Sequence, residues 1–209
     1  MRILIIGGTG NISTATTGEL LRRGHELTLF ASGDSVTQAA LVSPCPKALR
    51  TDPSCMDKMA PHILQLEQVA AIADRFDVIH YHIDYFHFPL SRRLAIPHVT
   101  TLHGRLDLPD LVGLYREFDE MPLVSISDSQ RQPLSWANWL TTVYHGLPDD
   151  LYSLHEEPED YLAFLGRISV EKRVDRAIEI AKRLGMKLKI AAKVDPADKE
   201  YFEQNIKGL

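Results

Sequence analysis

The sequence predicts an α/β fold: a parallel sheet with helices on both faces, followed by a second, incomplete unit of the same kind. Three observations carry this prediction. Short apolar runs of strand length alternate with longer segments of helical period. Glycine follows the first run directly, at Gly7-Gly8-Thr9-Gly10, where a strand would pass into a helix. A polar stretch over 145–159, containing Gly146, Pro148, Pro158 and several acids, separates the main series from two further strand–helix pairs.

The elements follow in order. Residues 3–6 form a strand that enters the Gly turn, and 12–23 form a helix closed by Gly24, in the position that favours a left-handed residue. Residues 27–30 are the second strand. Ser32-Gly33-Asp34 opens a loop, and no regular element is expected from there to Pro61. A helix over 62–75 carries Leu64, Val69, Ile72 and Ala73 among its apolar positions. A strand at 78–80, a helix at 86–94 ending before Pro97, a strand at 98–102 and a helix at 111–118 come next. A strand at 122–126, a short helix near 128–132 and a strand at 140–144 complete the first part. The second part reads as strand 161–165, helix 170–184, strand 188–192 and helix 197–206. Two such pairs are too few to cover a sheet, so this part is expected to be incomplete.

Of the 209 residues 44% are hydrophobic and 24% charged, as in ordinary globular proteins. The formal net charge of -5 provides no positive field for a phosphate backbone, so a general nucleic-acid binder is not expected. Arg22-Arg23 and Arg92-Arg93 read as solvated helix faces. Cys45 and Cys55 lie in a Pro-rich loop and fit no zinc spacing. A disulfide between them is chemically open, but two cysteines in a chain this size suit free thiols in a reducing compartment. The run over 3–6 is too short for a signal-peptide core or a membrane span, and a cytoplasmic protein is expected.

Four constellations can carry chemistry. In Gly7-Gly8-Thr9-Gly10-Asn11-Ile12-Ser13 the glycines allow a tight turn and close approach to a pyrophosphate. Ser13 stands where a dinucleotide fingerprint has Gly or Ala, and no carboxylate ends the second strand; Asp34 comes a few residues late. Dinucleotide binding, a phosphate- or sugar-contacting loop and a structural turn therefore all stay open. In His80-Tyr81-His82-Ile83-Asp84, His80 and His82 share one side if the strand continues. Two imidazoles and a carboxylate suit metal binding in principle. Without a further well-spaced ligand they read as the polar lining of a cleft. His103 ends a strand before Gly104 and can hydrogen-bond a sugar hydroxyl or move a proton, or be only a satisfied polar group. Finally, an apolar strand runs into Gly166, a helix is expected from Val170, and Arg167 and Lys172 flank the turn. Cations beside a helix N-terminus suit a diphosphate, although Arg173 and Arg176 also allow a merely solvated basic helix end.

Several of these segments resemble retaining glycosyltransferases of the GT-B superfamily, family 4 type. The matching residues are Val99-Thr100-Thr101-Leu102-His103-Gly104, Val124-Ser125-Ile126-Ser127, Val143-Tyr144-His145-Gly146-Leu147 and Gly166-Arg167-Ile168-Ser169-Val170-Glu171-Lys172. Leu106-Asp107-Leu108-Pro109-Asp110-Leu111 and Trp136-Ala137-Asn138-Trp139 look like one bacterial subgroup. The resemblance implies two Rossmann-like domains facing across a cleft: an acceptor-side domain at 1–153 and a partial donor-binding domain at 154–209. It implies transfer of a sugar, with retention, from a nucleotide-diphosphate donor to a small-molecule, glycan or lipid acceptor. Arg167 and Lys172 would stabilise the leaving diphosphate. His103 would line the cleft near the transferred sugar, with His82, Asp84 and Gly166 among the substrate contacts. The Gly7–Gly10 loop would lie by the diphosphate or the acceptor. No metal and no cofactor are expected, since the nucleotide sugar is a substrate.

Two departures from the family are visible. The first 20 or so residues look more like the start of nucleotide-sugar epimerases of the short-chain dehydrogenase/reductase class than the family's Gly-Gly-x-Glu opening. That class needs a Tyr-x-x-x-Lys pair, and no Tyr here has a Lys four residues on. The family's later Glu-rich motif would fall after Leu209, so a truncated donor site and weak or no transferase activity of the chain alone are expected. An NAD(P)-dependent epimerase-like oxidoreductase and a non-catalytic α/β module are the alternatives.

Overall fold

A computed structural model describes residues 1–7, 11–49, 52–146 and 151–209, and only the backbone of 11–13 and 197. The chain divides into two compact units, Met1–Leu151 and Tyr152–Leu209. None of the helices among the described residues is long and apolar enough to cross a membrane.

The first unit is built on seven strands: β1 (Arg2–Ile6), β2 (Glu26–Phe30), β3 (Ala40–Val42), β4 (Val78–Tyr81), β5 (His98–Thr101), β6 (Leu123–Ser125) and β7 (Trp139–Thr142). Their order in the sheet is β3-β2-β1-β4-β5-β6-β7, and every neighbouring pair is parallel. The chain thus moves outward from β1 to β3, then returns to place β4 on the other side of β1. That reversal is a topological switch point, where α/β sheets open a crevice beyond the carboxyl ends of the strands. Helices α1 (Asn11–Arg22), α2 (Met59–Ala70), α3 (Phe88–Ser91), α4 (Pro109–Glu117) and α5 (Asp128–Arg131) lie in the connections.

Strand alternation explains why the sheet is buried on both faces. Leu4 and Ile6 pack with Phe30, Val69, Ile79 and Tyr81, whereas Ile3 and Ile5 pack with Leu27, Leu29 and Ala31. A third cluster, around Phe88, Leu102, Tyr115, Met121 and Leu123, fills the half of the sheet beyond β4. His87 is a polar tie within it. The ring is fully buried, is paired with Ser91 Oγ at 2.7 Å and Thr100 Oγ1 at 2.8 Å, and stacks on Tyr81 at 3.6 Å. Burial, then the neighbouring His98, pushes its pKa down to about 2, so the ring is neutral.

Several expected elements are corrected. β3 lies where no regular structure was expected; at three partly exposed residues on the sheet edge it is too short to show a period. The helix expected over 62–75 starts earlier, at Met59. There Asp57 Oδ1 accepts from the Met59 and Ala60 N–H groups at 2.8 and 3.3 Å, and Pro61 is tolerated in the first turn. It stops at Ala70, and Ala73–Arg75 forms a separate 3₁₀ turn. The helix expected over 86–94 shrinks to the four residues of α3, with Pro89 in its first turn.

The second unit pairs β8 (Tyr161–Arg167) with β9 (Lys187–Lys193) in parallel, joined by α6 (Val174–Leu184). Ile168, Val174 and Ile206 form its buried centre, with Phe164, Ile178 and Phe202 against them. The strand passes through Gly166, which pairs with Ala192, so this glycine is not in a turn. The helix does not begin at Val170: Val170–Lys172 is a 3₁₀ turn, and Arg173, in the left-handed region at φ 55°, separates it from α6. The helix expected over 197–206 is a composite of the 3₁₀ turn Pro196–Asp198, α7 (Lys199–Tyr201) and the π turn Phe202–Ile206.

Gly7 ends β1 in a conformation that L-residues rarely adopt, φ 77°, and a Cβ there would lie 3.2 Å from Ile83 Cγ2 and 3.4 Å from the His82 carbonyl oxygen. Gly7→Ala should therefore destabilise the chain by about 1–3 kcal/mol. Chemical denaturation would show this as a lowered midpoint; an unchanged midpoint would mean that the turn relaxes freely.

Candidate functional site

The carboxyl edge of the first unit gathers Gly7, His82, Asp84 and His103. Gly7 N–H donates to the Phe30 carbonyl at 2.9 Å, and His82 N–H donates to the Ile6 carbonyl at 2.9 Å, so both sides of the switch point are tied to the sheet. Beyond β4 the chain turns sharply at Asp84, whose φ of 52° is unusual outside glycine. Such a backbone persists only where its surroundings hold it, and it is common at ligand sites. Asp84 Oδ1 lies 3.5 Å from the His103 N–H, which brings the ends of β4 and β5 together.

The imidazoles form one connected group. His82 Nδ1 and His103 Nε2 are 2.8 Å apart and share a hydrogen bond. His80 Nε2 pairs with Thr101 Oγ1 at 2.8 Å, and its ring lies 4.2 Å from that of His82. His145 stacks on His103 at 5.4 Å with the planes 6° apart. Burial, followed by neighbouring imidazoles, pushes His80 down to about 4 and His82 down to about 3. Burial and then His145 lower His103, against an opposing pull from Asp84. His80, His82 and His103 are therefore uncharged near neutrality and can exchange hydrogen bonds with hydroxyl groups without adding positive charge.

A glutamine holds the His103 turn. Gln130, on α5, donates from Nε2 to the Leu102 and Gly104 carbonyls at 3.1 and 2.8 Å and accepts at Oε1 from the Ile126 N–H at 2.9 Å. Ser127 Oγ caps α5 by accepting from the Gln130 N–H at 3.1 Å. Asp128 accepts from Thr142 Oγ1 at 2.7 Å and from Tyr144 Oη at 3.0 Å. His103, Gly104, Ser127 and Gln130 line an open hollow of about 460 Å³. Gln130 and His145 were not singled out as site residues from sequence. Gln130 carries no pattern of its own, and His145 lies inside a matching family segment without a role attached. No group of three or more His, Cys, Asp or Glu that could hold a metal ion occurs among the described residues. Gly8, Thr9 and Gly10 lie outside the described residues.

Gly166, Arg167 and Lys172 belong to the second unit. Arg167 donates to Glu171 Oε1 at 2.8 Å and to Asp195 Oδ2 at 3.4 Å, while Lys193 Nζ lies 2.8 Å from Asp195 Oδ1. The guanidinium is thus fixed by two carboxylates. Five N–H donors leave it capacity for further acceptors. Lys172 is exposed at the end of its 3₁₀ turn. The Glu171 backbone N–H, and then the charges of Arg167 and Lys172, hold the Glu171 carboxyl below its usual range.

Comparison with known proteins matches this architecture. Among solved structures, AviGT4, a glycosyltransferase involved in avilamycin A biosynthesis, superposes on 100% of this chain with a TM-score of 0.61 and 19% identity. The chain spans 60% of the length of AviGT4. The shared fold is α/β of the GT-B type, with a Rossmann-like first unit. The model of Glycosyltransferase Family 4 matches residues 6–143, and the chain belongs to that family. A UDP-galactose 4-epimerase aligns over 93% of this chain and 88% of its own, at 12% identity and a TM-score of 0.36. An isoflavone reductase aligns over 97% and 82%, at 10% identity and a TM-score of 0.34. Scores that low say nothing about function. Comparison with curated proteins finds no match.

The depressed imidazoles give a signed pH dependence. With folded values below the ordinary 6.5, the unfolded chain binds more protons between pH 6.5 and about 3. Stability is complete above that window and lost as pH falls through it. His82→Gln should remove on the order of 1–3 kcal/mol of this loss. Melting temperatures from pH 7 to 4.5 would show a shallower slope in the variant; parallel slopes would mean that His82 is not shielded.

Proposed function

We propose that the chain works as a family 4 glycosyltransferase domain, moving a sugar from a nucleotide-diphosphate donor to an acceptor hydroxyl with retention. The observation that carries this is the match of the family over residues 6–143, because that span contains the whole switch-point cluster of Gly7, His82, Asp84 and His103. On this reading the first unit, with its boundary near 153, is the acceptor side, and 154–209 belongs to donor binding.

The residues divide the work by charge. His103 lies against the transferred sugar and exchanges hydrogen bonds with its hydroxyls as a neutral ring; His82 and Asp84 support it and line the same surface. The Gly7–Gly10 loop borders the diphosphate or the acceptor. Arg167 and Lys172 meet the leaving diphosphate, on which negative charge grows as the glycosidic bond to phosphate breaks. Glu171 and Asp195 hold the Arg167 guanidinium in one orientation, so little reorganisation accompanies that charge. Gly166 keeps β8 free of a side chain beside Arg167. The donor is a substrate, and no further cofactor enters the scheme.

UDP or GDP should raise the melting temperature by a few degrees, since a ligand at 100 times its Kd adds about 2.7 kcal/mol. Arg167→Ala should remove most of that shift. A shift with NAD(P) and none with either nucleotide diphosphate would replace this reading with an oxidoreductase; an undiminished shift in the variant would move the diphosphate away from Arg167.

A further inference from the structure

A second space borders Gly7, and apart from Gly7 none of its wall residues has a role above. It is a cavity of about 500 Å³ inside the first unit, within the size range of small-molecule sites. Gly7, Ala31 and Ile83 bound it from the ends of β1, β2 and β4, while Pro44, Cys45 and Leu49 bound it from the segment after β3. α2 closes it with His62 and Gln65.

The chemistry of this wall is selective. No Asp, Glu, Lys or Arg is among its described residues. The Cys45 thiol is pushed up by burial and then by Asp34, so it stays protonated and uncharged. Gln65 is buried and its Nε2 reaches the Phe30 carbonyl at 3.4 Å, which occupies part of its hydrogen-bonding capacity. His62 stacks on Phe86 at 5.4 Å with the planes 16° apart, so the ring at the wall is held flat. A charged group placed here would give up part of its hydration and meet no Asp, Glu, Lys or Arg among the described wall residues. An apolar or planar body would instead gain from leaving water and from contact with a flat ring.

We infer that this cavity is a binding site for the uncharged aromatic or alicyclic body of the acceptor, the hydroxyl to be glycosylated pointing out past Gly7. The word acceptor rests on the transferase reading; the ligand chemistry rests on the wall alone. The inference sets this acceptor class apart from sugar phosphates and other anionic acceptors, to which the described wall offers no Lys or Arg.

Cys45 gives a direct readout. The full chain would be treated with N-ethylmaleimide and alkylation followed by peptide mass spectrometry, with Cys55, which does not line the cavity, as internal reference. The neutral probe 4-nitrophenyl β-D-glucopyranoside should slow Cys45 alkylation at least threefold and saturably, while leaving Cys55 unaffected. Its anionic counterpart 4-nitrophenyl phosphate should not. Ala48 also lines the cavity, and Ala48→Phe, which places a ring in it, should abolish the protection at an unchanged melting temperature. Protection by both probes, or by neither, overturns the inference, and the native chain alone suffices to decide this. Failure of the transferase reading would appear separately, as absence of UDP and GDP binding with Cys45 protection intact.

Discussion

The parallel pairing of β1 with both β2 and β4 is the constraint on which the rest of the first unit depends. β1 is matched residue for residue, from Arg2↔Glu26 to Ile6↔Phe30 on one side and from Ile3↔Val78 to Ile6↔Tyr81 on the other. Because side chains alternate along a strand, a slip of one residue would exchange the two apolar faces. Burial of Leu4 and Ile6 on one side, and of Ile3 and Ile5 on the other, holds the register. The same register delivers Gly7 and His82 side by side at the switch point.

Two kinds of electrostatics then meet two kinds of task. In the first unit, burial and mutual repulsion keep His80, His82 and His103 neutral, and each ring finds a partner in a hydroxyl or another imidazole. Such a surface recognises hydroxyls and does not attract anions. In the second unit the cations are partly exposed and one of them is braced by carboxylates. A braced, solvated guanidinium costs little to maintain, since its charge is not removed from water. It is ready for an anion that arrives with its own charge. On the proposed reading, recognition of sugar hydroxyls and accommodation of phosphate charge rest on separate stretches of chain.

Much of this was readable before the fold was known. The strands β1, β2, β4, β5, β6 and β7 are recovered within one or two residues, because an apolar run bounded by a turn residue has few other ways to bury itself. The family segment around His103 pointed to the family, and the matched span of residues 6–143 includes it. The failures share a cause. β3 is three residues long and gains its identity from pairing with β2. α3 is four residues, held by the buried His87 and its hydroxyl partners on α3 and β5. The start of α6 is set by the left-handed Arg173, a conformation that residue type does not announce. Gln130 looks like any exposed polar residue until its amide is seen clasping Leu102, Gly104 and Ile126.

The sequence by itself determined the class of fold and the order of its elements, since apolar period and glycine turns are local and act through the chain's own backbone. It also determined which residue types could carry chemistry. Only the tertiary structure decided that His80, His82 and His103 form one neutral group with His145 stacked on it, and that Arg167 lies between Glu171 and Asp195. It alone revealed, beside Gly7, a cavity whose described wall holds no Asp, Glu, Lys or Arg. These are properties of side chains from distant stretches of chain, and the dielectric and hydrogen bonds that set their chemistry exist only once the sheet has brought them together.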